Sequence, residues 1–438
     1  MTFQPAAALP DRSKLPDILG QFGLAYFAFS AFYGPAQANQ GLLIMLVSLL
    51  FGKTIEFRRL VKDPLFIASG LFIAYVLILT AAALLETPAE QKLIVDFSSD
   101  WALLALIPAL VVAATLRNSR FQVHHLLALA VAGFLLKIAL HINWLNFFGY
   151  FEKFLVNEHE RATFGYSVIN LPLWALFFVL GLIIYSDDYL RSKSKPLIVL
   201  KFAMFLLTIN ILLFIIVISK ARSAWILSCL FIPTCLFVKF FIYTKFSKYL
   251  NFAIIFALIS VPSYFIYDNY SLFEKRISVE REVIQQIFSS EHADVEPTSI
   301  GQRYYMYKVF IEEFSSRPLL GWGPGRSRQL LQKTTYPGLA EAPHFHNIFV
   351  EILIQLGLIG LLLFTAMFTI LFKTALTRPY SAHHSTKFRW FLLCSAAVFC
   401  LTGLINNTLW SSATPYFFAL TGGLAYAPRA GEYVRATP

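Results

Sequence analysis

The sequence predicts an all-α polytopic membrane protein, with about 12 transmembrane helices and one large helical loop outside the membrane. Three observations predict this fold class. Of the 438 residues, 57% are hydrophobic and only 14% are charged, whereas a soluble domain carries about 25% charged residues. Phenylalanine occurs 44 times, which suits helices that face lipid over much of their circumference. Apolar runs of about 20 residues, the length that crosses a bilayer as a helix, recur along most of the chain.

The predicted spans extend from near the amino terminus to residue 427. They lie at 18–34, 37–52, 64–86, 98–116, 122–142, 164–186, 197–218, 224–242, 249–268, 347–372, 389–407 and 411–427. The second run is short and a short polar link separates the last two, so about ten to thirteen spans are compatible with the pattern. We therefore predict spans one to nine in 1–268, a large loop with amphipathic helices at 269–345, and three spans with a tail in 346–438.

The distribution of lysine and arginine predicts how the spans are oriented. If the amino terminus is cytoplasmic, the basic residues concentrate in the inner links, as the positive-inside rule requires. These links contain Lys53, Arg58, Arg59, Lys62, Arg117, Arg120, Arg191, Lys193, Lys195, Lys245, Lys248, Lys373, Arg378, Lys387 and Arg389. Both termini are then cytoplasmic, and the loop 269–345 lies outside. Basic inner links also explain the net charge of +11 without a nucleic-acid partner.

Two arginines lie in short outer links, where the positive-inside rule disfavours them. Arg161 precedes the sixth predicted span, and Arg222 lies in the turn 219–223 between the seventh and eighth spans. Each side chain alone could reach lipid headgroups, as long basic side chains do. Because both lie on the face of the large loop, the pair favours an anion-binding site.

The large loop contains a predicted amphipathic helix at 302–314, with Arg303 in its first turn. Its apolar positions at near-helical spacing are Met306, Val309, Phe310 and Phe314. The helix ends before Pro318, and the Gly/Pro-rich run 321–325 then predicts a tight irregular turn. We expect the backbone N–H groups of this turn, with Arg326 and Arg328 directly after it, to form a phosphate cradle.

The loop closes on a histidine-rich segment, residues 343–347, that opens the next span. His346 or Asn347 would lie at the start of the helix, where the positive end of the dipole keeps a histidine neutral and suited to general-base catalysis. His344 is a supporting residue. Glu351, one turn further on, is an intramembrane carboxylate and hence a candidate functional residue. Pairing with a neighbouring cation is its alternative role.

The chain shows no pattern that requires a cofactor. It contains neither a P-loop nor a dinucleotide-binding fingerprint. His344 and His346 could bind a metal ion with Asp294 and Glu296, but this set lacks a firm third-ligand spacing. The four cysteines lie inside apolar runs without metal-site spacing. We therefore predict neither a metal nor a cofactor.

These motifs, in this order, resemble those of the O-antigen ligases of the bacterial envelope. His346-Asn347 followed by nine residues, Gly357, two residues and Gly360 is similar to the signature of that family. An Arg-Ala-Thr-Phe-Gly segment at 161–165, the turn 219–223 and the run 321–325 precede it. The resemblance covers about residues 160–360. The wider superfamily also contains O-antigen polymerases and protein O-oligosaccharyltransferases.

The resemblance implies a metal-independent glycosyltransferase of the GT-C type in the bacterial inner membrane, with its active site facing the periplasm. The donor would be a glycan on undecaprenyl diphosphate, and the acceptor a sugar hydroxyl of lipid A–core. His346 would accept the proton of that hydroxyl, while Arg161 and Arg222 would bind the diphosphate. The remaining substrate-binding candidates are Arg303, Arg326, Arg328, His344, Asn347 and Glu351. Gly357 and Gly360, which lack side chains, would let another helix approach closely.

Two alternative functions remain open at this stage. Within the superfamily, the chain could be an O-antigen polymerase or a protein O-oligosaccharyltransferase, since nothing in the loop identifies the acceptor. A transporter of lipid-linked glycans would instead predict charged residues through the middle of the membrane, broken helices and related halves. Lys137 and Glu351 are the few charges of that kind, and the sequence does not explain Lys137. The long basic, aromatic outer loop favours an enzyme.

Overall fold

The computed structural model describes residues 15–52, 55–156, 160–243, 270–288, 295–377, 382–430 and 432–433. These residues form helices and turns, and no β-strand occurs among them. Eight helical stretches in the described ranges are long and apolar enough to cross a membrane. The chain is an all-α polytopic membrane protein, which confirms the predicted fold class.

The described residues form seventeen α-helices, numbered in chain order. They are α1 (Leu15–Ser30), α2 (Pro35–Phe51), α3 (Phe57–Leu60), α4 (Pro64–Glu86), α5 (Gln91–Leu103), α6 (Ile107–Arg117), α7 (Val123–His141), α8 (Phe147–Val156), α9 (Asn170–Leu190), α10 (Lys195–Ile218), α11 (Arg222–Tyr243), α12 (Tyr270–Phe288), α13 (Ser299–Ser316), α14 (Arg326–Lys333), α15 (Ile348–Thr377), α16 (Ala382–Ile405) and α17 (Thr414–Ala430). Short 3-10 helices lie at Pro88–Glu90 and Trp144–Asn146.

The eight membrane-length stretches agree with eight of the predicted spans. They are Pro64–Glu86, Pro88–Arg117, Val123–His141, Asn170–Leu190, Lys195–Ile218, Arg222–Lys239, Ile348–Thr377 and Thr386–Ile405. Helices α1, α2 and α17 also coincide with predicted spans but have only 16, 17 and 17 residues. The predicted span at 249–268 lies outside the described residues. The count of twelve therefore stays a prediction.

Two predicted spans have different bounds in the structure. The run 164–186 is not helical from its start, because residues 161–169 form an irregular segment with turns, and α9 begins only at Asn170. The run 98–116 is divided between α5 and α6. Pro108 lies in the first turn of α6, where a proline is tolerated because its missing N–H would have no partner in the helix.

The main apolar core surrounds α9, which is buried over nearly its whole length. Trp174 packs against Phe32 and Phe417, with ring centroids 5.4 and 5.0 Å away. Outer helices instead expose apolar side chains, such as Leu77 and Ile78 of α4. Such an apolar surface is stable only against lipid, in agreement with a membrane protein.

A second, smaller apolar core lies in the large loop and includes the first turns of α15. It contains Met306 and Val309 from α13, Leu331 from α14, and Val350 and Ile354 from α15. The predicted amphipathic helix at 302–314 is confirmed within α13, whose buried side faces this core. The amino-terminal part of α15 is therefore held between two cores, since its other face packs into the main core.

Candidate functional site

The signature residue Asn347 is the N-cap of α15. Its Oδ1 accepts hydrogen bonds from the backbone N–H groups of Phe349 and Val350, at 2.9 and 3.3 Å. An asparagine at this position satisfies N–H groups that have no partner within the helix. Its Nδ2 donates to the hydroxyl of Tyr307 at 2.9 Å. Asn347, which was predicted to bind substrate, is engaged at both ends of its amide and fixes the start of α15 against α13.

The carboxylate of Glu351 is completely buried and accepts hydrogen bonds from Ser327, Gln355 and Phe345. Oε1 accepts hydrogen bonds from the Ser327 hydroxyl and the Gln355 amide, both at 2.6 Å. Oε2 accepts from the backbone N–H of Phe345 at 3.0 Å. With 0% exposure, this side chain holds the protein together in the structure, and its role in substrate binding stays a prediction. Among the described residues, hydroxyl and amide donors rather than a basic side chain satisfy it.

Gln355 extends this buried network by one helical turn. Its Oε1 accepts hydrogen bonds from the Trp101 indole at 2.8 Å and from the backbone N–H of Gly325 at 3.0 Å. Its Nε2 donates to the hydroxyl of Ser327 at 3.0 Å. The network thus joins α5, the turn before α14 and α15 behind the histidine segment.

Gly357 interrupts α15 and receives the Gly/Pro-rich turn of the large loop. Its φ of 64° lies in the left-handed region, and a Cβ there would be 2.2 Å from the carbonyl oxygen of Leu319. Past the break, the N–H groups of Leu358 and Ile359 donate to the carbonyls of Pro318 and Leu319 at 2.9 and 3.2 Å. The expectation that Gly357 lets another helix approach is wrong, because it breaks its own helix and docks a loop. Gly360 faces Leu356 of α15 itself.

The predicted phosphate cradle in the run 321–325 is also wrong. Its backbone N–H groups donate within the protein rather than outward. Trp322 and Gly323 donate to the carbonyls of Ile354 and Gln355, which the break in α15 leaves open, at 2.7 and 2.9 Å. The N–H groups of Gly321, Gly325 and Arg326 donate to Arg317 O, Gln355 Oε1 and Gly323 O. This turn is a docking element, not an anion site.

His346 directly precedes the N-cap, and its imidazole is half-buried. Its Nδ1 is buried and makes no hydrogen bond within the described part of the chain. Burial lowers the pKa of His346 to about 4, with further lowering from His344 and from the positive charge of Arg303. The rings of His344 and His346 meet edge to face at 5.2 Å, and burial also lowers the pKa of His344. Both imidazoles are therefore neutral at pH 7.

Arg303 connects this histidine to the start of α11. Its Nη2 donates to Oδ1 of Asn406 at 3.4 Å, and Nδ2 of Asn406 donates to the Ser223 hydroxyl at 3.4 Å. Ser223 follows Arg222, the first residue of α11, whose side chain is exposed. The structure therefore brings the predicted residues Arg222, Arg303 and His346 to the same end of the helix bundle.

Arg161 lies on a segment that contacts the end of α10. The N–H of Ala162 donates to the carbonyl of Ile218 at 3.3 Å, four residues before Arg222. Phe164 and Lys220, one on each of these two segments, have positive φ angles of 45° and 52°. Positive φ in a non-glycine residue is strained, and such strain is concentrated at functional sites. The exposed Arg161 and the α10–α11 turn thus adjoin each other, as the sequence suggested.

A comparison with protein families identifies the segment that contains most of this site. Residues 203–365 match the family described as O-antigen ligase. The chain belongs to the O-antigen ligase superfamily. No curated protein matches it. The matched segment includes Arg222, Arg303, His346 and Gly357, whereas Arg161 lies before it. Membership supports a glycan-transfer activity of the ligase or polymerase type.

Arg326 and Arg328 have different environments in this O-antigen ligase superfamily member. The Arg326 side chain is 8% exposed; Nη1 donates to Gln329 Oε1 at 2.7 Å and Nη2 lies 3.4 Å from Glu86 Oε2. Arg317 also pairs with Glu86, at 3.1 Å. Arg326 therefore holds the loop to α4 through Glu86, and its role in substrate binding stays a prediction. Arg328, one residue past Ser327, is exposed.

Several residues of the network escaped the sequence analysis of this superfamily member. Gln355 lies four residues after Glu351. Two polar residues one turn apart in an otherwise apolar helix indicate a buried polar network, so this spacing could have identified Gln355. Asn406 appeared only as part of a polar link between two spans. Lys137, which the sequence did not explain, has its Nζ 3.9 Å from the centroid of the Tyr166 ring, a cation–π contact.

The metal alternative is tested only in part. Among the residues that the structure describes, no group of three or more His, Cys, Asp or Glu side chains could hold a metal ion. Asp294, a member of the alternative ligand set, lies outside these residues. The residues that converge on the site are instead neutral imidazoles and arginines. Such a set can accept a proton and bind a phosphate group.

Proposed function

We propose that this protein is an O-antigen ligase that transfers a glycan from undecaprenyl diphosphate to a sugar hydroxyl of lipid A–core. The observation that carries the proposal is the position of His346. It is a half-buried histidine of low pKa, adjacent to the N-cap of α15 and close enough to Arg303 for the guanidinium to lower that pKa. A neutral imidazole beside a guanidinium suits a reaction that removes a proton from a hydroxyl and releases a diphosphate.

In the proposed reaction, the acceptor hydroxyl oxygen attacks the anomeric carbon of the donor sugar. A bond forms between these two atoms, and the bond from the anomeric carbon to the diphosphate oxygen breaks. The electron pair of that bond leaves with undecaprenyl diphosphate, and His346 takes the hydroxyl proton. Arg161, Arg222 and Arg303 stabilise the negative charge that develops on the diphosphate. Because the donor carries its own leaving group, the reaction needs neither a nucleotide nor a metal ion.

The low pKa of His346 is compatible with a role as base once the donor is bound. In the free protein, the positive charge of Arg303 contributes to lowering this pKa. A bound diphosphate would neutralise that charge and favour the imidazolium form. The pKa of His346 would then rise in the donor complex, which makes the imidazole a stronger base when the acceptor arrives.

The proposed orientation places this site on the periplasmic side of the inner membrane, with both termini in the cytoplasm. At the ends of α9, α11 and α16 that lie opposite the candidate site, Lys239 pairs with Asp187 at 3.2 Å and Lys387 pairs with Asp188 at 2.8 Å. Arg191, Lys193 and Lys195 follow α9 at this end, which supports the orientation through the positive-inside rule. In a cysteine-free background, a cysteine at the exposed Glu341 should react with an impermeant maleimide in spheroplasts, and one at Thr377 should not.

Ligation in vitro tests the proposed function. The assay combines purified protein in detergent, a glycan on undecaprenyl diphosphate and rough lipopolysaccharide, with EDTA and without nucleotide. We expect laddered lipopolysaccharide from the wild type, none from His346→Ala, and wild-type yield from Glu341→Ala, an exposed change in the same loop. Full ligation by His346→Ala would exclude the base assignment. Lengthening of the glycan on its carrier alone would indicate a polymerase, and no transfer of either kind would favour a transporter.

A further inference from the structure

An apolar cavity lies between α15, α16 and α17, on the membrane side of the candidate site. Its volume is about 210 Å³, and seven of its sixteen lining residues are phenylalanines. Along α16 the cavity extends from Leu392 to Cys400, which is about 12 Å at the helical rise. All three helices coincide with predicted spans, so the cavity lies at the level of the membrane.

Two polar side chains in this cavity, Ser395 and Thr421, donate their hydrogen bonds within their own helices. The Ser395 hydroxyl donates to the carbonyl of Phe391 at 2.6 Å, and the Thr421 hydroxyl donates to the carbonyl of Phe417 at 2.6 Å. None of the described residues that line the cavity is charged. A polar ligand would therefore lose its bonds to water without replacement. The cavity suits a hydrocarbon chain.

The outer end of the cavity adjoins the candidate site at the start of α15. Ile348 and Phe349, which line it, directly follow His346 and Asn347 in the chain. At the end of α16, Asn406, which accepts the hydrogen bond from Arg303, lies six residues beyond Cys400, the last α16 residue that lines the cavity. A ligand whose anionic group binds Arg303 could therefore extend its chain directly into the cavity.

We propose that this cavity binds the part of the polyprenyl chain nearest the diphosphate of the donor. The proposal rests on the proposed function, because it takes the donor to be a polyprenyl diphosphate. A single chain with methyl branches fits a channel walled by aromatic rings and widened at Ala396 and Gly422. A phospholipid carries two chains below one headgroup, and only one of them could enter. The occupant is thus the donor lipid rather than a bulk membrane lipid.

Two substitutions that fill the cavity from opposite walls test the proposal, with a matched control. Thr365→Trp on α15 and Cys400→Trp on α16 replace exposed residues that line the cavity. Leu362→Trp on α15 replaces a residue that is 70% exposed and does not line it. We expect both cavity variants to raise the KM for a long-chain donor about tenfold, equivalent to about 1.4 kcal/mol. They should also remove the preference for long over short polyprenyl chains, whereas Leu362→Trp should retain wild-type values.

A binding measurement separates this proposal from the proposed function. A polyprenyl phosphate with a diazirine close to the phosphate should label peptides of α15, α16 and α17 in the wild type, and much less in both cavity variants. Labelling elsewhere, or unchanged KM values in both cavity variants, would overturn the proposal. The proposal would also be overturned if a phosphatidylglycerol probe labelled these peptides equally and polyprenyl phosphate did not displace that probe. If the wild type transfers no glycan, the proposed function fails, while the labelling result still decides whether the cavity binds the chain.

Discussion

The backbone N–H of Phe345 donates a hydrogen bond to the buried carboxylate of Glu351 at 3.0 Å. Phe345 lies between His344 and His346, so this bond holds the histidine segment against the first turn of α15. The side chain of Phe345 is 1% exposed and packs in the smaller core. The orientation of both imidazoles therefore depends on a carboxylate that has no contact with solvent.

Glu351→Gln should destabilise the protein, because all three hydrogen-bonding neighbours of the carboxylate donate to it. An amide would place its own N–H groups against one of these donors and leave a buried polar group unsatisfied, which costs about 1–3 kcal/mol. Thermal unfolding in detergent measures the change. Glu341→Gln, at an exposed position of the same loop, should leave the unfolding temperature unchanged. Equal stability of the two variants would contradict the structural role of Glu351.

Gly357→Ala should be more damaging than an ordinary glycine substitution in a helix. The left-handed φ of Gly357 is unfavourable for alanine, and the added Cβ would collide with the carbonyl of Leu319. We expect a loss of about 2 kcal/mol or more of stability, or failure to accumulate in the membrane. Gly70→Ala in α4 is the control, since a Cβ at Gly70 meets no atom within 4 Å. An unchanged unfolding temperature for Gly357→Ala would show that the break in α15 is not required.

The pH dependence of transfer should report the protonation of His346. Because its pKa is about 4 in the free protein, the imidazole is neutral above that value, and kcat/KM should fall only as the pH drops toward 4. Arg303→Gln removes a positive charge that disfavours the imidazolium, so the pKa of His346 should rise and the acidic limb should move to higher pH. The maximal rate should also fall. Lys308→Gln is the control, because the Nζ of Lys308 lies 4.6 Å from the centroid of the Tyr304 ring on α13, and this variant should leave the acidic limb in place. An unmoved limb in Arg303→Gln would contradict the assignment.

Asn406→Ala should weaken donor binding, because Asn406 positions Arg303 against the start of α11. Loss of a hydrogen bond to a charged group costs about 1.5 kcal/mol or more, so the KM for the donor should rise about tenfold. The KM for the acceptor should not change, which distinguishes this role from a general loss of structure. Asn210→Ala is the control, since the Asn210 amide donates to the carbonyl of Leu206 in its own helix. Equal donor KM values in the two variants would remove Asn406 from the site.

Much of the fold was predictable because hydropathy is a local property. Each membrane-length helix coincides with an apolar run, and the amphipathic helix at 302–314 was visible from the spacing of Met306 and Val309. The helix start was predicted at His346 or Asn347, and the structure places it at Asn347, whose side chain caps the N–H groups of Phe349 and Val350. Arg222, Arg303 and His346, three residues that the sequence singled out, lie at the same end of the helix bundle, and their roles in catalysis and binding stay predictions.

The sequence by itself determined the fold class, the position of most spans and the chemical character of the outer loop, because these depend on residues that are adjacent in the chain. Only the tertiary structure decided that Gly357 breaks α15, that the Gly/Pro-rich turn bonds to that break, and that Arg326 pairs with Glu86 of α4. It likewise decided that Glu351 is satisfied by Ser327, Gln355 and Phe345. The physical reason is that buried backbone and side-chain groups must find hydrogen-bond partners. Those partners come from segments distant in the sequence, and no local pattern specifies them.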